Sequence, residues 1–119
     1  MSERVVVDLE IAAPAERVWQ ALRDKDEVLR WFGWEYDGLD AEVDEIFFTG
    51  AQADYAARTL DTGDGVYTVR DAGGGARVVV TRTTPPSRDP DPIDAGWQQF
   101  TAQLRTYVEE GAVERPKGA

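Results

Sequence analysis

The chain contains no cysteine and no histidine. Disulfides, thiolate zinc sites and a cysteine nucleophile are therefore excluded, and the imidazole that most often serves as metal ligand or general base near neutral pH is missing too. Lysine is nearly absent as well, with Lys25 and Lys117 the only two among 13 basic residues, against 23 acidic ones and a formal net charge of -10. Such a balance repels phosphate backbones and anionic bilayer surfaces, so neither nucleic acid nor membrane is expected as a partner. No apolar run approaches the roughly 20 residues that span a bilayer, and Met1 to Ile11 has neither the basic start nor the apolar core of a signal peptide. The expected address is the cytoplasm.

What is present describes a folding chain. Of 119 residues 42% are apolar and 30% charged, with four Trp, four Tyr and four Phe, which is the composition of a globular protein rather than a disordered one. That length supports one core and not two, so a single domain over residues 1–111 is expected, with 112–119 as a flexible tail.

Val5, Val7, Leu9 and Ile11 alternate with Arg4, Val6, Asp8 and Glu10, the period-two pattern of a strand with one buried face. Pro14 suits a first helical position, and Ala15, Val18, Trp19 and Leu22 follow at helical spacing to about Arg23. Asp24 or Asp26 can cap a second short helix carrying Val28, Leu29 and Phe32 on one face, with Gly33 as its stop. A third helix is read from about Leu39 to Thr49, with Leu39, Val43, Ile46 and Phe47 inward. Three strands then alternate with turn chemistry: Tyr55 to Leu60, Val66 to Arg70 and Arg77 to Thr83, separated by Asp61 to Gly65 and Asp71 to Gly75. Four prolines break the stretch from Thr84 to Asp94. A long amphipathic helix restarts there with Asp94 as its expected N-cap, carries Trp97, Phe100, Leu104, Tyr107 and Val108, and ends at Gly111. The fold class is thus α+β, with about four antiparallel strands covered by the last helix.

The stretches Ile11-Ala-Ala-Pro14-Ala-Glu-Arg-Val18-Trp19-Gln-Ala-Leu22, Leu29-Arg-Trp31-Phe32-Gly33 and Gly96-Trp97, in that order, resemble the START-like superfamily, in its bacterial branch related to the activator of Hsp90 ATPase. The resemblance implies a helix-grip fold, in which a curved antiparallel sheet wraps the C-terminal helix and a cavity lies between them. Members of that superfamily usually continue from the aromatic exit into two more strands, whereas residues 38–50 here read as helical, which implies a smaller sheet and a smaller or closed cavity.

Against that frame the candidate ligand-binding residues are Trp31, Trp34, Tyr36, Phe47, Tyr55, Arg58, Tyr67, Trp97 and Phe100. The dense aromatic group of Trp31, Phe32, Trp34, Tyr36, Phe47 and Phe48 fits either a cavity mouth or ordinary core. Arg58 is the natural partner of a ligand carboxylate or simply a salt-bridged strand residue, and period-two alternation sets it and Tyr55 on opposite faces of one strand. Trp97, Phe100, Leu104 and Tyr107 form the helix face that the sheet should grip. Glu35, beside Trp34, is the one carboxylate placed to serve as a general base if it is buried. The acidic runs fit no calcium-loop pattern and the triple glycine no phosphate loop, so no metal, cofactor or catalytic residue is assigned.

Three functions remain open on the sequence. The first is a non-enzymatic domain holding a small apolar or amphipathic molecule between sheet and C-terminal helix. The second is an interaction module for a protein partner or a second copy, exposing Trp34, Tyr36 and Phe48. The third is a small enzyme of the polyketide cyclase or aromatase type.

Overall fold

The computed structural model describes residues 4–32, 37–63, 65–82 and 91–111. The first strand, β1 (Arg4–Ile11), buries Val7 and Ile11 as alternation requires, but Val5 is 60% exposed. Its pairing explains the departure. Val5 faces Thr81 and Val7 faces Val80, so one extra residue sits in β1, and this bulge turns Val5 to the outer face of the sheet. The expectation that Val5 shares the buried face of Val7 is corrected accordingly.

Helix α1 (Ala15–Arg23) buries Ala15, Val18, Trp19, Ala21 and Leu22, and Pro14 precedes it as N-cap rather than opening it. The Asp24 side chain accepts the backbone N–H groups of Asp26 and Glu27 and so starts α2 (Lys25–Trp31), which buries Val28 and Trp31. The third helical segment runs over the expected residues but changes pitch. It is α-helical as α3 (Leu39–Asp44) and π-helical over Glu45–Thr49, closed by Gly50 N–H on the Glu45 carbonyl at 2.9 Å. A Cβ on Gly50 would stand 2.6 Å from that carbonyl oxygen, so only glycine fits there.

Among the described residues five strands form the sheet, one more than expected, in the order β1-β5-β4-β3-β2 with every neighbour antiparallel: β2 (Gln52–Asp54), β3 (Thr59–Asp61), β4 (Val66–Ala72) and β5 (Gly75–Arg82). The expected strand from Tyr55 to Leu60 is mostly a turn. Asp54 Oδ1 accepts the N–H groups of Ala56 and Ala57, both at 3.0 Å, and this local capture bends the chain between two three-residue strands. Gly73 and Gly74, at φ 58° and 96°, make the two-residue connection from β4 to β5 that matches the strand twist.

Helix α4 (Pro92–Glu110) is capped three residues before the expected position. Asp91 is the N-cap, accepting from Ile93 N at 2.8 Å, and Pro92 takes the first helical position, where its missing N–H costs nothing. Asp94 is occupied elsewhere: it accepts from Arg4 at 3.0 Å and from Arg82 at 2.5 Å. With Asp91 close to both arginines, this cluster ties the start of α4 to β1 and β5, and Arg82 is only 4% exposed. Gly111 closes the helix at φ 83° as expected.

Trp97, Thr101, Leu104 and Tyr107 form the buried stripe of α4. They meet Leu60, Tyr67, Val69, Val78 and Val80 of the sheet and Trp31 and Phe47 of the helical layer in a single cluster. Gly33, the proline-rich stretch over 83–90 and the expected tail at 112–119 lie outside the described residues.

Candidate functional site

The inner face of the sheet supplies Tyr67 and the helical layer supplies Trp31 and Phe47, all three entirely buried. Their rings meet edge to face or tilted. Trp31 lies 5.7 Å from Phe47, Phe47 lies 6.3 Å from Tyr67, and Tyr67 lies 5.6 Å from Trp97, centroid to centroid. The Trp31 indole donates to the Ala21 carbonyl at 2.9 Å, and the Tyr67 hydroxyl sits 3.4 Å from Thr101 Oγ1. Burial raises the Tyr67 phenol above its ordinary pKa, so it is neutral across the physiological range. These three candidates are packed as core.

Tyr55 and Arg58 stand outside that interior. Tyr55 is 62% exposed and meets Trp19 edge to face at 5.4 Å. Arg58, at φ 51° in the turn before β3, pairs with Glu16 and lies 3.8 Å from Asp71. Because both lie on the turn, the opposite-face expectation for one strand does not apply to them. Trp34, Glu35 and Tyr36 lie outside the described residues.

Open space of the right character lies on the flank of α4. A groove of about 310 Å³ is lined by Phe32, Glu42, Ile46, Pro92, Ile93, Gly96, Trp97 and Phe100, so α2, α3 with its π turn, and the first turns of α4 form its walls. Of the seven expected residues that are described, Trp97 and Phe100 belong to it. Trp97 is seated by Gly65, where a Cβ would come within 3.1 Å of the indole. Phe100 packs on Phe32 with centroids 4.6 Å apart. Ile93 is half exposed at the rim. Glu42 and Ile46 are four residues apart and so share one helical face toward the groove.

Ile46, Ile93, Gly96 and Glu42 were not singled out as site residues by the sequence. Gly96 carried a signal, since glycine inside an otherwise regular helix costs about 1 kcal/mol against alanine and invites a reason.

A second, wider cleft of about 660 Å³ runs along α1 between Pro14, Glu16, Arg17, Trp19, Gln20, Arg23, Asp24 and Tyr55. Its charges are largely committed. Arg17 pairs with Glu27 at 2.7 Å, Glu16 with Arg58, and Arg23 donates to the Phe47 carbonyl at 2.6 Å and to the Tyr55 hydroxyl at 3.2 Å. Among the described residues no group of three or more acidic side chains is placed to hold a metal ion, and no helix is long and apolar enough to cross a membrane.

No family model and no curated protein matches this chain. Among solved structures, the crystal structure of DynU16, a protein from the dynemicin biosynthetic locus, superposes with a TM-score of 0.61 at 18% identity. The fold is START-like. The superposition covers 98% of this chain and 50% of DynU16, so the chain spans about half the length of that neighbour. The sheet gripping α4, expected from the residue stretches, is present, and residues 39–49 are helical as their spacing predicts.

Proposed function

We propose that this START-like domain binds a small apolar or amphipathic molecule in the groove between α3 and the first turns of α4, without transforming it. The observation that carries this reading is the groove itself: about 310 Å³ and walled mainly by aromatic and aliphatic side chains, two of which, Phe32 and Trp97, are anchored in the buried core. Binding sites for small molecules are concave and largely apolar with few polar groups, and this lining has one charged member among the described residues. Gly96 supports the same reading. A Cβ there would rest 3.8 Å from Phe100, an ordinary contact, so packing alone does not require glycine, and its absence of a side chain keeps the groove open.

The narrower placing beside the Hsp90 ATPase activator rests on the Ile11 to Leu22, Leu29 to Gly33 and Gly96-Trp97 stretches alone, and a role toward a protein partner would follow from that placing.

The test uses a neutral three-ring fluorophore, 1-aminoanthracene, titrated into the protein with tryptophan excitation. Saturable one-to-one binding with energy transfer from tryptophan is expected. Gly96→Leu should fill the groove and weaken binding at least tenfold, while thermal stability is kept or slightly raised by the better helix former. No saturable binding by the parent protein, or equal binding by the folded Gly96→Leu variant, overturns the reading.

A further inference from the structure

We infer that the groove selects a cation: an apolar or aromatic molecule bearing a protonated amine or a quaternary ammonium group. This deepens the proposed function and rests on it. Three aromatic side chains, Phe32, Trp97 and Phe100, line a space whose described walls hold a single ionisable group, the Glu42 carboxylate. Glu42 is exposed and its side chain, among the described residues, makes neither an ion pair nor a hydrogen bond, so its charge is not neutralised by them. Its neighbours on α3 differ. Asp40 and Asp44 face Lys25, at 2.5 Å and 3.7 Å, on the side toward α2.

No basic side chain is among the described residues of the lining, and the two arginines at the start of α4, Arg4 and Arg82, are held by Asp91 and Asp94. A ligand carboxylate would therefore meet a negative charge with no basic group among the described residues of the lining to pair it. An ammonium group meets both a counter-charge and the negative faces of aromatic rings, which together favour cations over isosteric neutral molecules. The whole chain, at -10, adds a long-range field of the same sign. Apolar walls fix the body of such a ligand, and Glu42 at the rim fixes its head.

Three probes with one naphthalene body separate the charge from the groove: 1-naphthylmethylammonium, 1-naphthylmethanol and 1-naphthoate, titrated by calorimetry at low and high salt. The expected order of affinity is ammonium, then alcohol, then carboxylate, with about tenfold between the first and last at low salt and a smaller gap at high salt. Glu42→Gln should bring the ammonium close to the alcohol while leaving the alcohol unchanged, which a merely structural role would not do. If the alcohol binds but the carboxylate binds as tightly as the ammonium, or if Glu42→Gln leaves the order intact, the charge inference fails and the groove reading stands. If none of the three binds, or if Gly96→Leu binds all three as the parent does, the groove reading fails and takes the inference with it.

Discussion

The two flanks of α4 are built from the same kinds of residue and end differently. Toward the interior, Trp97 meets Tyr67, Tyr67 meets Phe47 and Phe47 meets Trp31 in a continuous run of ring contacts, with Leu104 in the same buried cluster. Toward α3, Phe100, Ile93 and Phe32 stand around Gly96 and leave a groove. Aromatic content does not separate core from binding surface. The difference lies in one small residue between large ones, and in whether a partner element lies close enough to close the gap.

The largest expected effect breaks the closed side. Phe47→Ala removes a ring wholly buried between Trp31, Phe32 and Tyr67 and should destabilise the protein by about 3–5 kcal/mol, a large share of the stability of a domain this size. Phe100→Ala, on a half-buried ring at the groove, should cost less than about 2 kcal/mol because less apolar area is lost. Urea unfolding of the two variants measures the contrast. Equal losses would mean that the groove wall is as much core as the interior.

A smaller loss is expected where charge rather than packing fixes the geometry. Arg82→Met removes one of the two arginines beside Asp91 and Asp94 and leaves Arg4 in place in a largely buried cluster, so the loss should be about 2–3 kcal/mol rather than the full cost of an orphaned buried charge. Because the same cluster pins the first turn of α4, where Pro92 and Ile93 line the groove, this variant should also weaken binding of the neutral probe. Stability lost with probe affinity intact would show that the groove forms without the clamp.

Periodicity made most of the scaffold legible. The Asp24 cap, the helical run over 39–49 and the Gly111 stop are local signals, and each is where spacing and capping chemistry put it. What escaped depends on pairing or on side chains reaching across the chain. The bulge that turns Val5 outward exists only relative to β5. The turn at Tyr55 to Arg58 hangs on an Asp54 side chain that propensity counts as one residue among many. The start of α4 moved because Asp94, a good cap in isolation, is recruited by Arg4 and Arg82 from distant strands. Of the site, Trp97 and Phe100 were legible as a helix face, whereas Glu42, Ile46 and Ile93 come together only when α3 and α4 are placed side by side.

The smallest effect sharpens the comparison from inside the closed region. Tyr67→Phe removes a hydroxyl whose contact with Thr101 is long, at 3.4 Å, while Thr101 keeps its 2.7 Å bond to the Trp97 carbonyl. Less than about 1 kcal/mol should be lost at neutral pH. At alkaline pH the sign reverses. Burial raises the folded pKa of Tyr67 above the value of about 10 of an unfolded tyrosine, so the native state holds a proton that the unfolded chain gives up. The stability tied to this proton is fully present below about pH 10 and is lost as pH rises above it, at up to about 1.4 kcal/mol per pH unit. The variant lacks that proton, so its stability should fall less steeply above pH 10 than the parent's, and the two curves should converge or cross. Parallel curves in urea unfolding from pH 8 to 11 would mean that the phenol reaches solvent, and that the interior beneath α4 is open like the groove beside it.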